Sequence, residues 1–380
     1  MEQNHPPILD TIDTATLTPL IQKSLKSDDF QILNWQVNQL GGGIGNPVSF
    51  GLFRYSGSGQ CKNEEKNWSI ILKIIQSPAN VGSVNMGEGD DLNHWNYWRR
   101  EPLVYQSGFL ETLPNGLAAP QLIQVNEFPG NIIFLWLEDI IEDQTLDWAI
   151  EQYSIIARHL GRLNGSNFVN ENNSQYPWLS LHRNKSWIAL MPWENFPWEH
   201  PKALIRYRPS EINSFNKLLL KNNHFLAKLE QIPHTISHGD TYPTNFKLRD
   251  MKDGHKQTVA LDWALIGISP IGDDLGQFVF GAITNLKTEN PIDVDRLLFD
   301  NYLNGLEDVG CYIDRNIVRF GYITSAALRV GLFQIYLLAE EIEKNEIVAE
   351  TSMLKTMNAI CFEEMMAEEA NVLINEIHIA

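Results

Sequence analysis

The chain has 380 residues, of which 43% are hydrophobic and 20% are charged, which is typical of a globular protein and excludes a disordered one. Its 47 acidic residues outnumber 29 lysines and arginines, and the resulting net charge of −18 argues against a nucleic-acid partner, because phosphate binding requires a basic surface. The same balance fits a neutral or cationic small substrate, and the length suits two domains.

The N-terminal part of the chain, residues 1–138, is predicted to form a small lobe. It begins with a short helical arm, up to about residue 30. Three strand-like runs then follow one another, separated by a glycine cluster and a polar turn, which predicts an antiparallel meander. The runs are FQILNWQVNQL, VSFGLFRYSG and WSIILKII. A helix is predicted in NHWNYWRREPLVYQSGFLE, and NIIFLWLEDI adds another apolar run that ends in acids.

Residues 139–380 are predicted to form a larger, mainly helical lobe. The apolar spacing in LDWAIEQYSIIARHLGRLNG predicts a helix that stops at Gly165. The predicted fold class is therefore α+β, with a small antiparallel sheet in the N-lobe and helices in the C-lobe.

Cysteine usage and hydropathy bear on location. Cys61, Cys311 and Cys361 show no spacing typical of a disulfide pair or a metal site, which favours a reducing compartment. The N-terminal segment lacks the charged and apolar regions of a signal peptide. The apolar stretch at 320–339 is interrupted by Arg329, so it is predicted to be a buried helix and not a membrane span. We therefore expect a cytoplasmic protein without a membrane partner.

The segment TISHGDTYPTNFKLRD concentrates a histidine, an aspartate and an asparagine. Its NFKL run and the later TVALDWALIG run are predicted to pair as an antiparallel hairpin. Placing Phe246 opposite Leu261 keeps apolar side chains together across the ladder. This register sets Asn245 opposite Asp262 and the turn at Asp253–Gly254, a favourable turn dipeptide.

Two oxygen-bearing side chains, Asn245 and Asp262, are thereby predicted to meet at one end of the hairpin. Such hard ligands suit Mg²⁺. Asp240, which precedes the hairpin, is suited to orient a substrate hydroxyl and accept its proton. Each residue taken alone is also typical of a turn. Asp262 weakens that alternative, because an unpaired carboxylate within an apolar run is costly.

Two histidines in this region raise an alternative metal site. His234 and His238 are separated by the spacing at which a helix presents zinc ligands. Pro233 and Gly239 disfavour a helix here, and no glutamate lies between the histidines. His238 is therefore predicted to be structural, with its ring supporting the loop.

HGDTYPTN followed by LDW resembles the aminoglycoside phosphotransferase and choline kinase family, which has the protein-kinase-like bilobal fold. YWRREPLVYQSGFLETLP, FLWLEDI, HLGRLNG and GISPIGDDLGQFV are also similar to segments of bacterial members. The resemblance implies a kinase that uses ATP and Mg²⁺ to phosphorylate a hydroxyl of a small molecule, such as an aminoglycoside, an amino alcohol or a similar metabolite.

The resemblance also implies roles for matching residues. Asp240 would be the catalytic base, and Asn245 and Asp262 would be the Mg²⁺ ligands. Lys73 would hold the α- and β-phosphates, and Glu101 would pair with Lys73. The other implied nucleotide contacts lie in the glycine-rich hairpin turn and where the lobes join: Gly42, Gly43, Gly45, Asn46, Leu137 and Asp139.

The residues themselves support these nucleotide-binding roles unevenly. Lys73 has apolar neighbours along its strand, so it must either lie at a sheet edge or meet an anion. The glycine cluster matches neither the Walker A nor the dinucleotide pattern, and alone it indicates a flexible turn. Pro102 disfavours helical geometry at Glu101, so Glu88 and Asp91 are alternative acids.

An acceptor pocket is predicted from the tryptophan-rich segment that precedes the catalytic loop, through Trp193, Glu194 and Trp198. Tryptophan faces suit a cation or an aromatic ring, with the glutamate as counter-charge. The alternative is that these residues cap the helical core.

The chain departs from protein kinases in ways that favour a small-molecule acceptor over a protein. Gly239 stands where protein kinases have an arginine, and no Ala-Pro-Glu segment follows the catalytic loop. The alternative function, from another class, is a nucleotide-binding pseudokinase or ligand-sensing module without phosphotransfer.

Overall fold

A computed structural model describes the following residues of the chain: 9, 11–41, 46, 48–62, 64–81, 91–141, 148–171, 175–190, 198–286, 290–332, 342 and 365–377. The chain forms two compact units. Unit 1 comprises Met1–Asp91, Asn96–Leu110 and Ala119–Ile141, and unit 2 comprises Leu92–Trp95, Glu111–Ala118 and Glu142–Ala380. The predicted α+β class is confirmed, and the predicted lobe boundary between residues 138 and 139 stays a prediction.

The elements in chain order are α1 (Thr14–Leu25), β1 (Gln31–Leu40), β2 (Ser49–Cys61), β3 (Glu64–Gln76), α2 (Arg100–Gln106), β4 (Leu117–Ala118), β5 (Leu122–Phe128), β6 (Ile132–Glu138), α3 (Ile150–Val169), α4 (Arg183–Leu190), α5 (Pro201–Arg206), α6 (Pro209–Leu220), α7 (Asn222–Leu229), β7 (His234–Ser237), β8 (Phe246–Asp250), β9 (Lys256–Ala260), β10 (Gly267–Pro270), α8 (Asp273–Leu286), α9 (Pro291–Asp308) and α10 (Arg315–Ala326). Residues 365–376 are also helical.

Unit 1 is built on a five-stranded antiparallel sheet in the order β1-β2-β3-β6-β5, so the predicted meander is confirmed. Alternate residues of β3 point into a core shared with α1, where Leu17 and Leu72 are fully buried. Lys73 points to the opposite face and pairs with Leu52 on β2 and Leu135 on β6. Because β3 is the central strand, the edge position considered for Lys73 is wrong.

The helix predicted around RREP is shorter than expected. The only α-helix there is α2, which begins at Arg100 after a series of turns, and a 3₁₀ turn follows at Phe109–Thr112. Pro102 therefore falls in the first helical turn, where a backbone N–H has no partner within the helix and its absence costs nothing. The proline consequently leaves Glu101 within the helix.

In unit 2, α3 does not stop at Gly165 but runs on to Val169. A Cβ on Gly161 would lie 2.1 Å from the carbonyl oxygen of Tyr302 on α9, and a Cβ on Gly165 would lie 2.7 Å from Val309. The glycines of α3 therefore allow close packing against α9 and do not end the helix.

The hairpin of β8 and β9 is present, but its register differs by one residue from the prediction. Phe246 pairs with Ala260 and not with Leu261. The connection is a three-residue turn in which Gly254 takes a left-handed φ of +84°, whereas the prediction assumed a two-residue turn. The TVALDWALIG run is also not one strand, since β9 ends at Ala260 and β10 begins at Gly267.

The apolar stretch at 320–339 forms the end of α10 and then a π-helical segment, Ala327–Gly331. Its residues from Phe320 to Leu328 are buried, as predicted, and positions 333–339 lie outside the described residues. No helix among the described residues is long and apolar enough to cross a membrane.

Candidate active site

In unit 1 the structure brings Lys73 and Glu101 together. The Lys73 Nζ lies 2.6 Å from Glu101 Oε2, and the two side chains are 13% and 2% exposed. A buried charge is stable only when it is paired, so each residue requires the other. Of the alternative acids, Glu88 lies outside the described residues, and Asp91 is exposed.

The strand end at Asp139 carries a second ion pair of unit 1. Arg54 on β2 donates from Nε and Nη2 to the two carboxylate oxygens of Asp139, at 2.7 and 3.0 Å. Leu137 is buried on β6. The sequence reasoning missed Arg54, although its alternation with apolar residues along β2 placed it on the same sheet face as other polar groups.

Of the predicted phosphate-covering turn, the structure describes Asn46, while Gly42, Gly43 and Gly45 lie outside the described residues. The amides of Asn46 and Asn96 bond to each other, with Asn96 Nδ2 donating to Asn46 Oδ1 at 3.1 Å. The same oxygen accepts from the backbone N–H of Val48 at 3.2 Å. Asn46 therefore fixes the start of β2.

In unit 2 the loop that follows β7 is held by one carboxylate, Asp274, from the first turn of α8. Its two oxygens accept the backbone N–H groups of His238 and Gly239, each at 2.9 Å. Asn164 also donates to it at 3.0 Å. Because Asp274 is 2% exposed, these donors replace the water that a carboxylate needs.

Asp240 extends from this loop as a half-buried carboxylate. Gln277 Nε2 donates to its Oδ1 at 3.0 Å, and no described residue donates to Oδ2. The Asn245 amide donates to the backbone oxygen of Asp240, also at 3.0 Å. One carboxylate oxygen is thus positioned by protein, and the other is available to a hydroxyl group.

The structure places Asn245 opposite Leu261 and not opposite Asp262, which is the next residue along the chain. Asn245 ends a 3₁₀ turn, and its backbone oxygen accepts the N–H of Leu261 at 2.7 Å, so Asp262 follows directly. Asp262 has a left-handed φ of 55°, and its carboxylate accepts the N–H of Ala264. Since the Asn245 Nδ2 donates to Asp240, its Oδ1 is the amide atom suited to a cation.

This pair of oxygen ligands fits Mg²⁺, which binds through few protein oxygens and keeps several waters. Among the residues that the structure describes, no group of three or more histidines, cysteines, aspartates or glutamates is arranged to hold a metal. The zinc alternative does not fit, because His234 lies on strand β7 and its Nδ1 bonds to the backbone oxygen of Ile232.

His238 is fully buried beneath the loop. Its Nε2–H donates to the backbone oxygen of Leu261 at 2.9 Å, and its Nδ1 accepts the N–H of Asp240 at 3.3 Å. Trp263 lies 4.6 Å from its ring centroid. Burial lowers the pKa of His238, against the opposing charge of Asp274, so the neutral ring links the two ends of the loop.

A buried ion pair that sequence reasoning missed lies behind the loop. Arg183 on α4 pairs with Asp273 and donates to the backbone oxygen of Leu265 at 2.8 Å. A Cβ on Gly239 would lie 2.0 Å from Arg183 Nη1. The arginine thus occupies the space that a side chain at Gly239 would need. Two adjacent aspartates in an otherwise apolar segment were the available signal for Asp273 and Asp274.

Of the predicted acceptor residues, Trp193 and Glu194 lie outside the described residues. Trp198 is half-buried, with its ring 6.1 Å from that of Tyr207 in an edge-to-face contact, and Tyr207 packs in turn against Phe215. This packing agrees with the alternative in which Trp198 caps the helical core. Its role in an acceptor pocket stays a prediction.

Comparisons with solved structures find similar chains at low sequence identity. An amicoumacin kinase in complex with AMP-PNP, Ca²⁺ and Ami has a TM-score of 0.49 and 14% identity, over 99% of this chain and 97% of that one. A GDP complex of an aminoglycoside 2′-phosphotransferase has a TM-score of 0.45 and 14% identity, over 96% and 100%. A spectinomycin phosphotransferase in complex with ADP and spectinomycin has a TM-score of 0.46 and 10% identity, over 96% of this chain and 99% of that one. No protein-family model and no curated protein matches the chain.

Proposed function

We propose that this protein is a phosphotransferase that moves the γ-phosphoryl group of ATP to a hydroxyl of a small molecule, with Mg²⁺ as the metal. The observation that carries the proposal is the geometry of the loop after β7. A half-buried Asp240 with one available oxygen lies beside two further oxygen ligands, Asn245 and Asp262. The sequence resemblance of HGDTYPTN and LDW to small-molecule kinases supports the same reaction.

Each residue has a defined task in this proposal. Asp240, oriented by Gln277, accepts the hydrogen bond of the acceptor hydroxyl and aims its oxygen at the phosphorus. Asn245 and Asp262 hold Mg²⁺, which neutralises phosphate charge when it is bound. Lys73, fixed by Glu101, binds nucleotide phosphates. The bond to the leaving ADP breaks as the acceptor oxygen bonds to phosphorus, and the hydroxyl proton passes to Asp240.

The central test is phosphotransfer by wild type and by Asp240→Asn. Wild type is incubated with ATP, Mg²⁺ and a panel of aminoglycosides, amino alcohols, sugars and hydroxy acids, and phosphorylated products are detected by mass spectrometry. Asp240→Asn should lower kcat by about 10²–10⁴-fold, as expected for a lost base. Asp253→Asn, in the exposed hairpin turn, is the matched control and should retain wild-type turnover.

Nucleotide binding provides a second readout. Asp262→Ala should abolish the Mg²⁺-dependent part of the thermal shift that ATP induces, because one of the two protein ligands is removed. An ATP shift without product from any acceptor would instead favour the nucleotide-binding module without phosphotransfer. Turnover by Asp240→Asn at the wild-type rate would contradict the assignment of the base.

A further inference from the structure

Arg329, a cation of unit 2, has no role in the proposed reaction. It lies in the π-helical segment Ala327–Gly331 and is half-buried. Its guanidinium lies 5.9 Å from the ring centroid of Trp187 on α4. Within the part of the chain that the structure describes, it makes no hydrogen bond and no ion pair. Short π-helical segments within α-helices are frequent at functional sites.

The packing of α8 places this segment close to the catalytic loop. On one side a Cβ at Gly276 would lie 2.9 Å from the Cβ of Ala326, at the end of α10. On another side a Cβ at Gly281 would lie 2.2 Å from Pro243, in the loop that carries Asp240. The π-helical segment also packs against α4 and α8. Arg329, one turn beyond Ala326, therefore lies among the elements that hold the loop.

Charged groups on these elements act on Arg329. Its charge interacts with those of Asp240, Asp273 and Asp274. Burial, together with the nearby Arg183, lowers the pKa of Arg329 to about 10, so its guanidinium is protonated at neutral pH. The groups that act on Arg329 are thus a cation and a tryptophan of α4 and carboxylates of α8 and the loop.

Two of the nearby carboxylates, those of Asp273 and Asp274, are bound by other groups, and one oxygen of Asp240 accepts from Gln277. Asp273 accepts from Arg183 and from Asn184 at 3.1 Å. Asp274 accepts the backbone N–H groups of the loop. Arg329 consequently carries a fork of N–H donors beside the site with no protein acceptor among the described residues. The planar fork of a guanidinium matches the paired oxygens of a carboxylate, as it also matches those of a phosphate group.

We propose that Arg329 binds a carboxylate group of the acceptor while the acceptor hydroxyl meets Asp240. This inference rests on the proposed phosphotransferase function and names its substrate class, a hydroxy acid or a hydroxy amino acid. Arg329 offsets the repulsion that Asp240 exerts on an anionic acceptor. The transferred phosphoryl group is the other anion of the reaction, and the test separates the two.

The experiment uses matched pairs of acceptors that differ only in the carboxylate: glycerate and glyceramide, homoserine and homoserine amide, gluconate and gluconamide. Binding to the full-length protein is measured by calorimetry in the presence of AMP-PNP and Mg²⁺, and phosphotransfer is measured separately with ATP. In wild type, at least one acid should bind about 10-fold or more tightly than its amide, as expected for a charge-assisted pair. Arg329→Met should remove this preference, and Arg329→Lys should retain part of it.

Arg315→Met is the control, because Arg315 is an exposed arginine of α10 whose partner is Asp300. It should retain the wild-type preference. The inference is wrong if wild type binds no acid better than its amide, or if Arg329→Met keeps the preference. An equal fall in kcat for both members of a pair, with their ratio unchanged, would assign Arg329 to the phosphoryl group and overturn the acceptor role. Acid binding without any phosphorylated product would contradict the proposed function and leave the carboxylate site standing.

Discussion

In unit 1 the buried charges of Lys73 and Glu101 meet each other directly, at 2.6 Å, whereas in unit 2 the buried carboxylate of Asp274 meets backbone N–H groups at 2.9 Å. The first arrangement joins two side chains that stand on regular elements. The second joins a side chain to an irregular loop. The sheet of unit 1 therefore positions its charged side chains through strand register. The loop of unit 2 has no register, and hydrogen bonds to the Asp274 carboxylate hold its backbone in place.

Breaking the side-chain pair of unit 1 should have the largest effect. Glu101→Ala leaves Lys73 charged and buried, and should lower the free energy of unfolding by about 3–5 kcal/mol, measured by urea denaturation. The double variant Lys73→Met/Glu101→Leu should regain most of this loss. Glu64→Ala, on the same strand, is the control, because its 3.8 Å pair with Lys66 is exposed. If Glu101→Ala lowers the free energy of unfolding no more than Glu64→Ala does, the buried pair does not contribute to stability as expected.

Removing the carboxylate of unit 2 should be slightly less costly. Asp274→Ala leaves the N–H groups of His238 and Gly239 without acceptors, and should lower the free energy of unfolding by about 3 kcal/mol. Here a second substitution at Asn164, the side-chain partner, should not restore stability, since the two other donors are backbone groups. The loss of stability in Asp274→Asn should lie between zero and that of Asp274→Ala, because one side-chain oxygen remains as an acceptor. Glu307→Ala, on the exposed face of α9, should cost less than 1 kcal/mol and serves as control.

Two glycines with the same backbone conformation differ in the space around them. Gly239 and Gly254 both have a φ of +84°, but a Cβ has open space at Gly254 and only 2.0 Å to Arg183 Nη1 at Gly239. Gly254→Ala should cost about 1 kcal/mol, from backbone strain alone. Gly239→Ala should cost about 2 kcal/mol more, because Arg183 is fixed by its ion pair with Asp273 and the backbone oxygen of Leu265 lies 2.2 Å from the added Cβ. Equal losses of stability in the two variants would show that both neighbours yield without cost.

The smallest effect concerns pH. His159 is buried against the Thr258 hydroxyl at 2.8 Å, and burial lowers its pKa from 6.5 to about 4. Below pH 6.5 the unfolded chain binds a proton that the folded chain does not, so stability falls as the pH drops towards 4. The loss attributable to His159 should be about 1 kcal/mol at pH 6. His159→Gln should flatten the dependence of the melting temperature on pH, measured by thermal denaturation. His255→Gln, at an exposed position, should leave that dependence unchanged.

The sequence predicted those features that depend on local periodicity. The alternation along β3 predicted the meander, and the position of Lys73 within it follows from the same pattern. The helical spacing of α3 was also clear, but its end at Gly165 was not, because the contact with α9 that explains this glycine involves residues far along the chain. The hairpin was predicted with the wrong register, since its turn has three residues where a two-residue turn was assumed.

Within the candidate site, the residues of the HGD loop and Asp262 were predicted from their types and order in the sequence, and their roles stay predictions. Their supports could not. Arg183 and Asp274 are ordinary residues of two helices, and their importance comes from burial against a loop that neither adjoins in sequence. Arg329 looked like an interruption of an apolar helix, and only the packing of α4 and α8 gives it a partner surface.

The π-helical segment at Ala327–Gly331 has a consequence for how such a site can change. A π-helical turn holds about one residue more than an α-helical turn, so a single-residue deletion there would restore ordinary helix and change the direction in which the residues of this segment point. One insertion or deletion event would thus redirect the cation at position 329 without altering α8 or the catalytic loop. If Arg329 binds the acceptor as proposed, a length mutation would change acceptor preference without any substitution of a residue that binds the substrate.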